Sequence, residues 1–224
     1  MTSNRKTGRV TGVLLLCVFI SGIIIFQFLQ GPILFSDNYL TVTSNNTNDI
    51  ISSVVLGIFS GMVSIFVATF LLPVFKQHHF RLAYLYLAFC IVNFIAIMID
   101  NFSVVSMLEL SKAYIKGGTT NSLDVLGSIA YEKHFWTHYF YLLISCFPVF
   151  VLYYLLYLSN LVPKVISVFG IFAVTLMFIE ELCSIFGHSI SMNMLLPIGL
   201  IQLILPLWLI VKGFNSPKLK SETN

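Results

Sequence analysis

Two histidines, His134 and His138, stand four positions apart in this sequence. On an α-helix this spacing places both imidazoles on one face, where they can share a cation. Carboxylates are common partners for such a pair, and Asp100 and Glu180 occur in neighbouring apolar stretches. The pattern indicates a divalent metal site with His134, His138 and Asp100 as its ligands.

Glu180 is the residue that we expect to act as general base toward a water molecule in such a site. Glu181 is adjacent, and neighbouring side chains on a helix point about 100° apart, so we expect only one of the two to face inward. For Glu181 the favoured interpretation is a helix end that reaches headgroup water. Asp100 has a similar alternative, in which it caps the end of its helix together with Asn101. His188 follows in a short loop.

The histidine spacing has a second interpretation, in which no metal is bound. His134 and His138 would then lie at the level of the lipid headgroups, where Trp136, Tyr139 and Tyr141 would form an aromatic belt. The three residues between the histidines lack the glutamate of an HExxH zinc motif. The metal site and the aromatic belt both stay open at the level of sequence.

The elements that carry these groups follow from composition. The chain is 58% hydrophobic and 9% charged, with a mean hydropathy of +0.93, values typical of an integral membrane protein. A helix needs about 20 apolar residues to cross a hydrocarbon core of about 30 Å. The sequence therefore predicts an all-α bundle of six transmembrane helices, forming a single membrane domain over residues 1–224. The predicted helices are 10–29, 51–75, 82–102, 135–158, 161–182 and 194–211.

The distribution of basic residues predicts that both termini are cytoplasmic, because lysine and arginine are retained on that side in short loops. Nine of the twelve fall on the predicted inner side: Arg5, Lys6, Arg9, Lys76, Arg81, Lys164, Lys212, Lys218 and Lys220. The longer connections, 30–49 and 103–134, are expected outside as a rim or lid, although Val104–Ile115 is apolar enough to prolong the third span. Counting residues places Asp100 and Glu180 roughly 28 and 24 Å above the inner basic residues. Both then lie near the outer leaflet.

The short connections leave no room for a separate soluble domain, and the net charge of +3 is explained by topology, which argues against nucleic acid as a partner. Membrane lipids are the expected partners, and a homo-oligomer is open. Gly57 and Gly61 offer a small-residue face for close helix packing. Deeper in the bundle, Asn93 and Gln202 are expected either to join helices by hydrogen bonds or to line a cavity floor.

Four short segments give the chain a family resemblance. They are RKTGR (5–9), FRL (80–82), LVPK (161–164) and LWLIVKG (207–213). In this order and spacing they resemble the bacterial membrane-protein family catalogued as domain of unknown function 4386. The resemblance implies six helices in a bacterial plasma (inner) membrane and a multi-pass chain. It also matches His134 and Glu180 to a histidine and an acid of the family pattern, while Pro148 replaces a second histidine.

The sequence supports two hypotheses about function. In the first, an outward-facing polar pocket binds a small ligand or a divalent cation and acts as a metal-dependent enzyme on a lipid-like substrate. In the second, the protein is a non-catalytic membrane interaction protein or a permease for small solutes or protons. Whether the chain is an enzyme stays open.

Overall fold

The computed structural model describes residues 3–117, 121–188 and 190–215. Lys218 and Lys220, which contribute to the predicted cytoplasmic charge, lie outside the described residues. The elements are α1 (Ser3–Ile23), a π-helical segment (Ile24–Gln30), α2 (Gly31–Leu34), α3 (Tyr39–Asn45), α4 (Thr47–Lys76), α5 (Phe80–Gly117), α6 (Asn121–Ser159), α7 (Lys164–Ile185), a 3-10 turn (Met192–Leu195) and α8 (Leu196–Lys212).

Within the described ranges, six helices are long and apolar enough to cross a membrane, which confirms the predicted all-α membrane bundle. They cover Asn4–Leu34, Thr47–Lys76, Phe80–Gly117, Ser122–Ser159, Lys164–Ile185 and Asn193–Lys212. Contacts between them run in a closed order, from α1 to α4, α5, α6, α7 and α8 and back to α1. The six helices therefore form a ring whose inner faces can enclose a cavity.

The connection expected over residues 103–134 is helical in its described parts. α5 continues to Gly117 and α6 begins at Asn121, so the two helices have 38 and 39 residues. At 1.5 Å per residue each is about 57 Å long, well beyond the hydrocarbon core of a bilayer. The prolongation of the third span is thus observed, and it continues the helix beyond Ile115.

A second apolar core explains why these helices continue. Val104, Met107 and Leu108 of α5 are buried together with Ile33 and Ile50. α3, which lies in the predicted loop 30–49, packs against α5 at the same end of the bundle. Burial of these side chains stabilises the helices here, although the polar residues of the connections made them resemble loops in the sequence.

The two ends of the described chain meet at the other end of the bundle. Arg5 Nε donates to the Lys212 carbonyl at 3.0 Å, and an Arg9 guanidinium nitrogen donates to the Val211 carbonyl at 3.1 Å. These carbonyls belong to the last turn of α8, where backbone carbonyls have no hydrogen-bond donor within the helix. The arginines of α1 thus cap α8 and hold both ends on one side of the bundle.

The small-residue face of α4 is used inside the chain. A Cβ added to Gly57 would lie 3.2 Å from the Asn101 side chain, and one added to Gly61 would lie 3.1 Å from Phe94 Cε2. Both glycines are buried. This face therefore packs against α5 within the chain.

Candidate metal centre

Asp100 and the two histidines come together where α5 packs against α6. Asp100 lies on the face of α5 that is turned into the helix bundle, and it is 7% exposed, while His134 on α6 is 8% exposed. His138 follows one turn later on the same face of α6, and the two imidazole centroids are 5.8 Å apart. Burial of His134 argues against a position among lipid headgroups. Trp136, two residues from each histidine, is exposed and lies on the opposite face of α6.

Each oxygen of the Asp100 carboxylate faces a different imidazole. Oδ1 lies 3.4 Å from His134 Nδ1, and Oδ2 lies 3.3 Å from His138 Nδ1. One ligand atom from each of the three residues can be chosen such that all lie within 4.8 Å of one another. The sequence-predicted ligand set is therefore brought together in space.

Two hydroxyl groups orient this cluster, and sequence analysis did not identify either of them. Ser103 Oγ donates to the Asp100 carbonyl at 2.7 Å and lies 3.1 Å from His134 Nδ1. Thr137 Oγ1 lies 3.1 Å from Asp100 Oδ1 and 2.8 Å from Ser103 Oγ. Ser103 follows Asp100 by three residues, and Thr137 follows His134 by three. This helical spacing is a signal that could have found them.

A cavity of about 480 Å³ extends from this cluster into the bundle. Its lining includes residues of all six spanning helices and is largely apolar. Asp100 and His138 lie in its wall, whereas the described lining does not include His134. On α5 the wall runs from Tyr86 to Asn101, a rise of about 22 Å. The cluster therefore occupies one end of a long apolar cavity.

The glutamates of α7 form a second polar group. Glu180 and Glu181 are 6% and 1% exposed, so the expectation that Glu181 reaches headgroup water is not what the structure shows. Glu180 Oε1 accepts a hydrogen bond from Ser184 Oγ at 3.1 Å. In the described lining of the cavity Glu181 is present and Glu180 is not. The packing of α7 thus turns Glu181 toward the cavity, and the role of Glu180 as general base stays a prediction.

His188 lies apart from both groups. It follows α7 in a turn, its side chain is exposed, and its backbone N–H donates to the Cys183 carbonyl at 2.9 Å. Of the six ionisable groups that the sequence singled out, three form the candidate metal centre, two form the glutamate pair, and His188 contributes to neither.

A comparison with protein-family models supports the family resemblance. No curated protein and no solved structure matches the chain. The model of one family, described as Domain of unknown function (DUF4386), matches residues 10–213, which include all three residues of the candidate metal centre. This match covers most of the sequence, and the chain therefore belongs to the DUF4386 family.

Proposed function

We propose that Asp100, His134 and His138 hold a divalent cation at the outer end of the cavity, and that the protein is a metal-dependent enzyme acting on a lipid-like substrate. It would lie in a bacterial plasma membrane with both termini cytoplasmic. The basic residues at the joined ends of α1 and α8 support this orientation, since such residues are retained on the cytoplasmic side.

The observation that carries the metal site is the spacing of the donor atoms. Ligands held at about 2.0–2.1 Å in a tetrahedral zinc site lie about 3.3–3.4 Å from one another. One Asp100 oxygen lies 3.4 Å from His134 Nδ1 and the other lies 3.3 Å from His138 Nδ1, and one ligand atom from each of the three residues lies within 4.8 Å of the others. Two nitrogen donors and one carboxylate match the ligand types of zinc and related ions, and three protein ligands leave a position open.

The electrostatic environment of Asp100 also supports the proposed metal site. A carboxylate buried in an apolar bundle needs compensation, because a charged group at the centre of a membrane costs at least about 2.5–3.5 kcal/mol. Asp100 obtains it from the two imidazoles and from Thr137. A cation between these groups would compensate the carboxylate further, and Thr137 Oγ1, which donates to Asp100 Oδ1 at 3.1 Å, would hold the carboxylate as outer-shell partners of metal ligands do.

A divalent cation in this position would supply Lewis acidity toward a water molecule or a carbonyl or phosphoryl oxygen. The protein residues would hold that oxygen at the cavity end, where the apolar wall excludes bulk water. Glu180 is our proposed general base, because it is buried on α7 beside Glu181, which lines the cavity. The lipid-like substrate is proposed because the cavity wall is largely apolar.

Metal analysis of the purified protein tests this proposal. We expect a stoichiometric divalent ion in the wild type, and an affinity at least about a hundredfold lower after His134→Ala or His138→Ala, since loss of outer-shell partners alone costs 10- to 100-fold. His188→Ala is the matched control, because His188 is exposed and lies outside the cluster. A folded wild type that binds no divalent ion would overturn the metal site.

A permease for small solutes or protons is the second candidate. It is favoured by the length of the cavity and by the polar side chains along it, Asn93 and Gln202 among them. A transporter of this kind would be active in metal-free proteoliposomes. Uptake there that persists after His134→Ala would favour it over the enzyme.

A further inference from the structure

The cavity wall contains a carboxyl group, that of Glu181, which is not fully hydrogen-bonded within the described residues. Glu181 lines the cavity and is 1% exposed, and its Oε2 has no hydrogen-bond donor among the described residues. The neighbouring side chain on α7, Glu180, carries a carboxyl group as well and so brings no positive charge to Glu181. Buried polar atoms are normally paired, so an orphan acceptor in a cavity wall indicates a missing donor.

The described lining of the cavity provides no cation for Glu181. It contains no lysine or arginine, and its imidazole, His138, already faces Asp100 at 3.3 Å. A second acceptor, Asn93 Oδ1, is also buried in this wall without a partner among the described residues. The cavity thus presents unpaired acceptors and an excess of carboxyl groups, which favours a ligand that brings both hydrogen-bond donors and positive charge.

The shape and polarity of the rest of the cavity limit what else this ligand can contain. The lining below Asn93 includes Tyr86, Val67 and Leu205, and it is mostly aliphatic and aromatic. From Asn93 to Tyr86 the wall covers about 10 Å along α5, a length that suits a single short hydrocarbon chain. A volume of about 480 Å³ lies within the range of small-molecule sites.

We propose that the cavity binds a single-chain amphiphile that carries a protonated amine. The ammonium group lies against Glu181, and the aliphatic chain extends along the apolar wall toward Tyr86. An ammonium group has three donors, so it can donate to Glu181 Oε2, and its charge compensates the buried carboxyl group. The proposal rests on the cavity and on Glu181, and it holds whether or not a metal ion is bound.

Photolabelling with two matched probes tests this assignment. An aliphatic amine with a chain of about eight carbons and the alcohol of the same chain length, each with a diazirine at the chain end, are added to the full-length protein in lipid nanodiscs. We expect saturable labelling of cavity residues by the amine, competed by the unmodified amine, and weaker labelling by the alcohol. Glu181→Gln should weaken amine labelling at least about tenfold and leave alcohol labelling unchanged, because only the charge is removed.

Glu109→Gln is the control variant, because Glu109 is an exposed carboxylate on α5 far from the cavity lining. Equal labelling of the wild type by amine and alcohol would overturn the proposal, as would amine labelling that Glu181→Gln leaves intact. Should Glu181→Gln fail to fold, the contrast between the two probes on the wild type decides the question.

Metal content measured on the same samples separates this inference from the proposed function. A metal-free wild type that still prefers the amine would overturn the metal site and support the amine site. A metal-bound wild type without that preference would overturn the amine site alone.

Discussion

The Asp100 carboxylate on α5 and the His138 imidazole on α6 lie 3.3 Å apart, measured from Oδ2 to Nδ1. The second oxygen of the same carboxylate faces His134 at 3.4 Å. One buried acid thus links two positions of the neighbouring helix, and the same geometry either satisfies the acid by hydrogen bonds or supplies the ligands of a cation. The stability of the α5–α6 pair and the affinity for metal should therefore depend on the same side chain.

Asp100→Asn should lower the free energy of unfolding by about 1.5–3 kcal/mol, the contribution of hydrogen bonds to a charged group. The amide keeps the size of the side chain but removes the charge that both imidazoles face. Thermal unfolding of the metal-free protein in detergent measures the effect. Glu109→Gln makes the same chemical change at a carboxylate that is 64% exposed and paired with Lys112 at 2.7 Å, and it should change stability by less than about 1 kcal/mol. Equal losses in the two variants would contradict a special role for Asp100.

Ser103→Ala should weaken the binding of a divalent ion by about 10- to 100-fold, the range found when outer-shell partners of metal ligands are removed. The Ser103 hydroxyl lies 2.8 Å from Thr137 Oγ1, which in turn lies 3.1 Å from Asp100 Oδ1, so Ser103 helps to position the carboxylate through Thr137. Isothermal titration with a divalent ion would measure the change. Ser106→Ala is the matched control on the same helix, because the exposed Ser106 hydroxyl bonds only locally, to the Phe102 carbonyl at 2.7 Å. If both serine variants bind the ion as tightly as the wild type, the Ser103 hydroxyl does not support the site.

Glu180→Gln should leave the metal content unchanged. The group of donors within 4.8 Å of one another consists of Asp100, His134 and His138, and among the described residues it does not extend to Glu180. A general base acts on the reacting molecule and need not bind the ion. Elemental analysis of the purified variant checks this expectation. Loss of the ion would instead make Glu180 a ligand and require α7 to approach the α5–α6 cluster.

The number and type of the spanning helices were predictable because hydropathy and length are local properties of the sequence. The helix ends were not, as residues 103–117 show. Glu109 and Lys112 make this stretch resemble a polar connection, yet Val104, Met107 and Leu108 pack against Ile33 and Ile50. That contact joins residues that are far apart in the sequence, and only the folded arrangement reveals that it stabilises the helix.

The candidate site was predictable in part for the same reason. His134 and His138 share a face through helical spacing alone, and residue counting placed Asp100 at a similar depth. The choice between Glu180 and Glu181 depends instead on the rotation of α7, which its packing against α6 and α8 determines. A rotation of about 100° separates the two side chains, and no local pattern specifies it.

Gly12→Ala should destabilise the protein by about 1–3 kcal/mol, the usual effect of overpacking. An added Cβ would lie 2.7 Å from the Pro206 carbonyl oxygen and 2.8 Å from Leu209 Cβ, so α1 could not keep its approach to α8. Gly22→Ala on the same helix is the control, because a Cβ there meets nothing within 4 Å. Alanine also favours helix over glycine, and the control should be neutral or slightly stabilising in thermal unfolding. A similar loss at both positions would mean that the close α1–α8 contact at Gly12 is not the cause, because helix propensity alone would give a gain.

Cysteine labelling in intact cells should place residue 77 inside and residue 116 outside. Gln77 lies in the short connection between α4 and α5, beside Lys76, and Lys116 lies in the last turn of α5. Both side chains are exposed, so accessibility differs only by the side of the membrane. In a variant without native cysteines, a membrane-impermeant maleimide should label Lys116→Cys in intact cells, and Gln77→Cys only after permeabilisation. The reverse pattern would place the Asp100 cluster near the cytoplasmic face, because Asp100 lies about 30 Å along α5 from Phe80, which is about the thickness of the hydrocarbon core.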